Sequence, residues 1–477
     1  MSEHFDLVVI GAGPAGEKGA AQAAYFGKSV CLVERAPKPG GAAVNSGTIP
    51  SKTLRETALA LSALRQKGLY GVEFHVRPDI SISDFMRRER GVVEASWQHI
   101  EENLERHHVT TVQGAARFTG PQAIEVTRHG QEPRVISGDA FLVATGSHPW
   151  RPPHVPFDGA VVIDSEDVLA IEAIPARMIV IGGGVIGCEY ACTFAALGVQ
   201  VTIINPLDRL LTQFDHDVSD ALRQEFTRRF GIHAHLGANV DSIEVRDGLG
   251  HVAVADGTAL VAECVLYCAG HEGNTTGLGL ENAGVATNAR GFIQVDEKFR
   301  TSITHIYAAG DVIGFPAMAS TSMEQARVAV CHAFDFRYKQ AVSGIMPYGV
   351  WTIPEVATVG MSEQDARAHD LSYEIGKAHF RDNVRGQIIG EAAGFVKLVF
   401  SPEDQRLLGA AVVGEGACEL IHVAGAVLGF HGTIDYFIQA VFTYPTLSEA
   451  FKYAAYDGLQ RTVKRVSRQA GLPAIPG

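Results

Sequence analysis

The chain has 477 residues, 46% of them hydrophobic and 19% charged, with a formal net charge of −13. That length implies about three domains with enough apolar sequence for large cores. The acidic balance and the lack of a basic run argue against a nucleic-acid or anionic-membrane partner, and no apolar stretch reaches the roughly 18 uncharged residues of a membrane span. The opening MSEHFDLVVIGAG has no basic segment before its apolar run, so no signal peptide is expected. The cysteines number seven, an odd count that fits free thiols in a reducing cytoplasm. Glycine is abundant, as nucleotide-binding turns require.

In chain order, residues 6–10 (DLVVI) predict a short strand. Gly11, Gly13 and Gly16 follow at once, then a small-residue helix and a second strand, SVCLVE, ending in Glu34. This is the order of a dinucleotide site: Gly11 for the tight turn, Gly13 for close approach of a pyrophosphate, Gly16 for helix–strand packing, and Glu34 for the ribose hydroxyls. The pyrophosphate would sit at the positive end of the helix. Next comes the glycine-rich loop GGAAVNSGTIPSK, residues 40–52, which leads into a helix predicted over 51–66. A strand AFLV ends in Ala144, Thr145, Gly146 and Ser147.

The strand–turn–helix–strand order then repeats. MIVI (178–181) leads to Gly182, Gly184 and Gly187, a helix carrying Glu189, and a strand VTII that ends in Asn205. Two dinucleotide sites imply a flavin and a nicotinamide nucleotide, since a hydride needs a donor and a carrier. Cys188 and Cys192 on the predicted helix have the spacing of a metal or redox pair, but no further ligand completes a set, so packing is the preferred reading. Gly270 and His271 precede a return to the first fold at HIYAA, followed by Gly310 and Asp311. The last third predicts a hairpin, GFVKLVFS with LLGAAVVG, and helices near 416–430 and 447–463.

These motifs, between residues 6 and 455, resemble the flavin-linked pyridine nucleotide-disulfide oxidoreductases, the family of lipoamide dehydrogenase and glutathione reductase. The resemblance implies an α/β fold with two Rossmann-like dinucleotide-binding domains, for FAD and NAD(P), and a C-terminal α+β dimerisation domain. The FAD domain is expected at 1–151 and 278–347, the NAD(P) domain at 152–277 and the interface domain at 348–477. The implied FAD set is Gly11, Gly13, Gly16, Glu34, Arg35, Gly40, Gly41, Ala43, Thr48, Lys52, Ala116, Thr145, Gly146, Gly310, Asp311 and Ala319. The implied NAD(P) set is Gly182, Gly184, Gly187, Glu189, Asn205 and Gly270. No metal is expected. In the family the aspartate at position 311 bonds the ribityl chain, and the lysine at position 52 lies by flavin N5, paired with the glutamate at position 189.

The chain departs from the family where sulfur chemistry is done. The two cysteines of the redox loop are replaced by Ala43 and Thr48, and the histidine of the partner-supplied His–Glu dyad by Tyr444, before Pro445 and Glu449. A phenol of reference pKa about 10 is a poor general base at neutral pH. Asn205 stands where NAD enzymes of the family carry an acid, and it neither repels nor neutralises a 2′-phosphate. Within the family the pattern is most similar to the soluble, Si-specific pyridine nucleotide transhydrogenases. It implies reversible hydride transfer between NADPH and NAD⁺ through FAD N5, with NAD(H) and NADP(H) using one pocket in turn, in a cytoplasmic homodimer or higher assembly. Lys52 and Glu189 would be the catalytic residues. An NAD(P)H oxidase or quinone reductase on the same scaffold is the alternative, and a redox-dead nucleotide-binding scaffold the less favoured one, since a scaffold needs no charge pair at N5.

Overall fold

The structure is a computed structural model that describes residues 3–66, 82–391 and 393–469. Two compact units divide the chain: Met1–Thr57, Glu73–Ala173 and Cys268–Ser343 form one, and Ala58–Val72, Ile174–Tyr267 and Gly344–Gly477 the other.

In the first unit the strand Glu3–Ile10 lies between Val30–Glu34 and Arg134–Val143, parallel to both. Thr110–Gln113 extends the parallel set on one side and Ile306–Ala308 on the other. Ala123–Thr127 and Ala115–Gly120 add an antiparallel edge. The central strand is buried on both faces along its second half, as a parallel sheet covered on both sides requires. Val8, Ile10, Cys31 and Val33 point into one core, and Leu7, Val9, Val30 and Leu32 into the other, which is the period of two of a strand. Helices Pro14–Tyr25 and Ala319–Ala333 pack through small residues: a methyl added at Gly19 would meet Leu142 at 2.6 Å and Ala326 at 3.3 Å.

The second unit holds the repeat. Strands His233–Leu236, Gln200–Asn205, Arg177–Ile181 and Cys264–Tyr267 lie side by side in that order, all parallel. A three-stranded antiparallel sheet, Val240–Arg246 to Ala259–Ala262, is set off from them. The C-terminal part is an antiparallel sheet of Tyr348–Val350, Val356–Gly360, Leu407–Val413, Phe395–Phe400 and Glu374–His379, in that order. The predicted hairpin is its centre. Helices Ala417–Gly429 and Glu449–Gln469 cover a core in which the rings of Phe437 and Phe451 stack at 5.3 Å. The fold is therefore α/β with two Rossmann-like folds and a C-terminal α+β part, as the motifs implied.

The helix after the glycine-rich loop starts at Thr48, earlier than expected. Pro50 is its third residue, where a missing N–H costs nothing because first-turn amides have no intrahelical acceptor. Lys52 thus lies on the second turn rather than at the start. Among the described residues no helix is long and apolar enough to cross a membrane.

Candidate active site

At Gly11 and Gly16 of the first glycine turn only glycine fits. Gly11 has φ +102°, and a methyl there would meet the Ala144 carbonyl oxygen at 2.5 Å. Gly16 packs its Cα against the Gly11 carbonyl, closing helix onto turn. Gly13 caps the helix with extended backbone, and Pro14 is its first residue. Gly40 and Gly41 both have positive φ, and a methyl on Gly41 would meet the Gly13 Cα at 2.9 Å. The two glycine segments thus line a cradle of bare backbone at a helix N-terminus, suited to a pyrophosphate.

Glu34 ends the second strand and its carboxylate accepts two backbone N–H groups, Ala12 at 2.7 Å and Ala36 at 2.8 Å. Each carboxylate oxygen keeps a lone pair for a ribose hydroxyl. Arg35 beside it is exposed. The Thr145 hydroxyl is buried and has no hydrogen-bond partner among the described residues. An orphaned buried hydroxyl costs about 1–3 kcal/mol, and this one lies beside the Gly11 turn, so a bound group that supplies its partner fits here. Gly310 (φ +82°) donates its N–H to Gln325 Oε1 at 2.9 Å, and Asp311 accepts from Ser322 Oγ at 3.4 Å near the start of the helix that begins at Ala319. These features fit FAD. Ala116 is different: its methyl is 8% exposed in the hydrophobic core, so only its backbone can face a ligand.

Burial raises the Asp311 carboxyl above the ordinary range, opposed by His271, Ser322 and Ser147. Burial also lowers His271, against the pull of Asp311. His271 lies on the short strand His271–Gly273, paired antiparallel with Ser147–Pro149. Burial thus favours the uncharged form of both His271 and Asp311, and each one's charge opposes that effect on the other. Gly270 (φ +128°) belongs to the first unit, its carbonyl accepting from Trp150 N–H at 3.0 Å, whereas the other residues of the predicted NAD(P) set belong to the second.

In the redox loop Ala43 is half-buried and Thr48 exposed. Asn45 between them donates to the carbonyls of Pro39 and Gly41 and accepts from Trp97 Nε1 at 2.7 Å, which holds the loop without sulfur. None of the seven cysteines is in a disulfide, and Cys31 and Cys268 are pushed up to about 12 by burial.

The second glycine turn repeats the geometry. Gly182 has φ +121° and Gly184 caps the helix Val185–Ala196 with extended backbone. Gly187 is buried in the first turn of that helix, and Glu189 follows, 6% exposed, accepting the Trp351 backbone N–H at 2.9 Å. Cys188 donates to the Gly183 carbonyl and Cys192 to the Glu189 carbonyl, at 3.4 and 3.2 Å. Asn205 is 4% exposed and points inward, over the glycine turn. Tyr444 is 67% exposed on the C-terminal part.

One cluster escaped the sequence reading. Lys397, 1% exposed, donates to Asp215 at 2.9 and 3.0 Å and to Glu363 at 2.8 Å. The signal was a lysine inside the apolar run GFVKLVF.

The model described as pyridine nucleotide-disulphide oxidoreductase matches residues 5–333, and that of the corresponding dimerisation domain matches residues 346–455. A protein of Mycobacterium tuberculosis named soluble pyridine nucleotide transhydrogenase is 42% identical over 458 residues, 96% of this chain and 97% of the relative. The crystal structure of LpdA from the same organism superposes with a TM-score of 0.87 at 28% identity, over 95% of this chain and 99% of that one. The HOCl-induced flavoprotein disulfide reductase RclA of Escherichia coli gives 0.84 at 26%, over 94% and 98%. By motif geometry, by fold and by sequence, the chain belongs to the pyridine nucleotide-disulphide oxidoreductase family.

Proposed function

We propose that the protein is an FAD-dependent transhydrogenase that interconverts NADPH + NAD⁺ and NADP⁺ + NADH. The observation that carries this reading is an intact flavin frame, Gly11 to Glu34 and Thr145 to Asp311, around a redox loop with Ala43 and Thr48 in the sulfur positions. The full-length relative named for this activity supports it. When bound, FAD supplies a carrier that takes a hydride from one nicotinamide and yields it to another.

The chain's own residues bind and orient. The glycine cradle and the helix Pro14–Tyr25 hold the pyrophosphate, Glu34 the ribose, and Thr145 and Asp311 the remaining polar groups. Arg35, Gly146, Ala116 and Ala319 complete the proposed flavin set. Lys52 supplies a cation that favours an anionic reduced flavin. Gly182, Gly184 and Gly187 hold the nicotinamide nucleotide, and Glu189 serves as its buried carboxylate. No proton needs to move through Ala43, Thr48 or Tyr444. The division into FAD (1–151, 278–347), NAD(P) (152–277) and interface (348–477) domains belongs to this reading.

The protein self-associates through its dimerisation domain. Phe430, Val441 and Tyr444 are 89%, 98% and 67% exposed in the single chain and suit burial by a second copy. Assembly beyond a dimer and a cytoplasmic location are part of the proposal, the latter supported by seven cysteines that form no disulfide.

Initial rates at several fixed concentrations of NAD⁺ and of NADPH test the one-pocket mechanism. Parallel double-reciprocal lines are expected of a substituted-enzyme cycle. Intersecting lines, showing that both nucleotides must be bound together, contradict it.

A further inference from the structure

The two glycine turns are each tied down by one side chain from the end of the following strand, and the two ties have opposite polarity. In the first repeat the surroundings offer two donors, Ala12 N–H and Ala36 N–H, and the residue is a carboxylate. In the second repeat Asn205 Oδ1 accepts Gly183 N–H at 3.1 Å, while Nδ2 donates to the carbonyls of Leu207 at 3.1 Å and Arg209 at 2.9 Å. One acceptor and two donors are the inventory of a carboxamide and of no carboxylate. The orientation of the amide is therefore set by its partners. The fit is close enough to dictate a glycine: a methyl at residue 183 would meet Asn205 Cγ at 2.8 Å and Leu210 Cδ2 at 2.9 Å. The first repeat has Ala12 in the matching place.

Asn205 is thus turned away from a ligand and toward the 206–210 loop. Further backbone bonds continue that tie, Leu211 N–H to the Gly183 carbonyl and Gly237 N–H to the Leu207 carbonyl, both at 2.9 Å. The loop carries Arg209, whose buried Nε has no hydrogen-bond partner among the described residues and whose Nη1 lies 3.4 Å from the exposed Asp208.

We propose that Asn205 is a positioning residue for nucleotide selectivity: its carboxamide clamps the carbonyls of Leu207 and Arg209, and so sets the loop from which Arg209 meets a nucleotide 2′-phosphate. Dual acceptance of NAD(H) and NADP(H) then follows from a loop held with its arginine in place and no carboxylate facing the ribose. A direct reading, in which residue 205 senses the 2′ substituent by its own charge, does not follow from an amide committed to three backbone groups. The inference rests on the transhydrogenase reading for its substrates, but it is tested by binding alone.

The probes are adenosine 2′,5′-bisphosphate and adenosine 5′-monophosphate, titrated calorimetrically into the FAD-loaded dimer. The variants are Asn205→Ala, Arg209→Ala and the double. The clamp predicts that Asn205→Ala weakens the bisphosphate by about tenfold, the scale of one lost buried hydrogen bond to a charged group. It predicts a change of less than about threefold for the monophosphate, and a double variant no weaker than Arg209→Ala. A purely structural role weakens both probes alike, and the two losses multiply; that result overturns the proposal. Bisphosphate affinity unchanged in Asn205→Ala also overturns it.

Asn205→Asp, of the same shape, provides a second arm should the alanine variant fold poorly. It sets a carboxylate oxygen against two carbonyls, so bisphosphate binding falls and monophosphate binding does not improve. Tighter monophosphate binding supports direct sensing and overturns the clamp. Unaltered protein that neither binds the bisphosphate nor loses flavin colour with NADPH refutes the transhydrogenase reading itself. Unaltered protein that does both, with an indifferent Asn205→Ala, refutes only the clamp.

Discussion

Glu34 Oε2 accepts the backbone N–H of Ala12 at 2.7 Å, which ties the end of the second strand to the middle of the first glycine turn. The same carboxylate holds Ala36 N–H. It has a structural task before any ribose arrives, and a neutral amide can meet only half of it. Glu34→Gln is expected to weaken FAD binding by about tenfold, since one hydrogen bond to a charged group contributes about 1.5–3 kcal/mol. Flavin in the filtrate after ultrafiltration measures it. Retention equal to that of the unaltered protein contradicts the assignment.

Thr145 offers a sharper test because its two states should respond in opposite directions. Among the described residues the buried hydroxyl has no partner. Thr145→Val removes that penalty while keeping shape, so the apoprotein should be as stable as before or more so, by up to about 1–2 kcal/mol. The FAD-loaded protein should lose stability and release flavin faster. Thermal midpoints of both forms check this. Equal destabilisation of both forms would mean that the hydroxyl serves only the fold.

Much of this site was legible in the sequence, for a physical reason. Positive φ at Gly11 and Gly182, and backbone contact at Gly16, leave glycine as the only choice, so the pattern of glycines maps the turns. The direction of a side chain was not legible. Asn205 was found by its place at a strand end, but what its amide bonds depends on two carbonyls of a loop with no periodicity of its own. Lys397 stayed hidden because its partner Asp215 is 182 residues away. A lysine within an apolar strand signals a buried partner without naming it.

That buried cluster makes its own prediction. Burial alone would lower Lys397, but Glu363 and Asp215 outweigh it and raise the ammonium above its ordinary value. Burial alone would raise Asp217 and Glu363, but the nearby lysine charges outweigh it and lower both. The carboxylates' contribution is thus present above their unfolded values of about 4 and lost as pH falls through the folded ones. The lysine's is present below about 10.4 and lost as pH rises through its folded value. Lys397→Met strands Asp215 and should cost about 3–5 kcal/mol at neutral pH. Denaturant midpoints from acid to neutral pH should show the gap to the unaltered protein narrowing in acid. A cost below about 1 kcal/mol, or a gap that widens in acid, contradicts the account.

Thiols should be dispensable. Cys31 and Cys268 are pushed up to about 12, and all but Cys268 of the seven are buried. Native protein treated with iodoacetamide at pH 7 should keep its full transhydrogenase rate. Loss of activity in step with alkylation would point to a sulfur acceptor outside the redox loop.

Lys52 and Glu189 should govern the rate at which the flavin is reduced rather than whether it binds. Lys52→Met and Glu189→Gln are each expected to slow reduction by NADPH in stopped flow by about tenfold or more, the scale of a lost charge stabilisation of 1.4 kcal/mol, with FAD content unchanged. If the two act as a unit, the double variant is no slower than the worse single one. Unaltered reduction rates in both single variants would remove them from the catalytic set.

In the proposed cycle, hydride enters and leaves by nicotinamide alone. Under strict anaerobiosis, one equivalent of NADPH added to the oxidised protein should bleach the flavin absorbance. Addition of NAD⁺ should then restore the colour with one NADH formed per flavin. Bleaching that persists in NAD⁺ and reverses only when oxygen or a quinone is admitted would contradict the claim and make the protein an oxidase or quinone reductase.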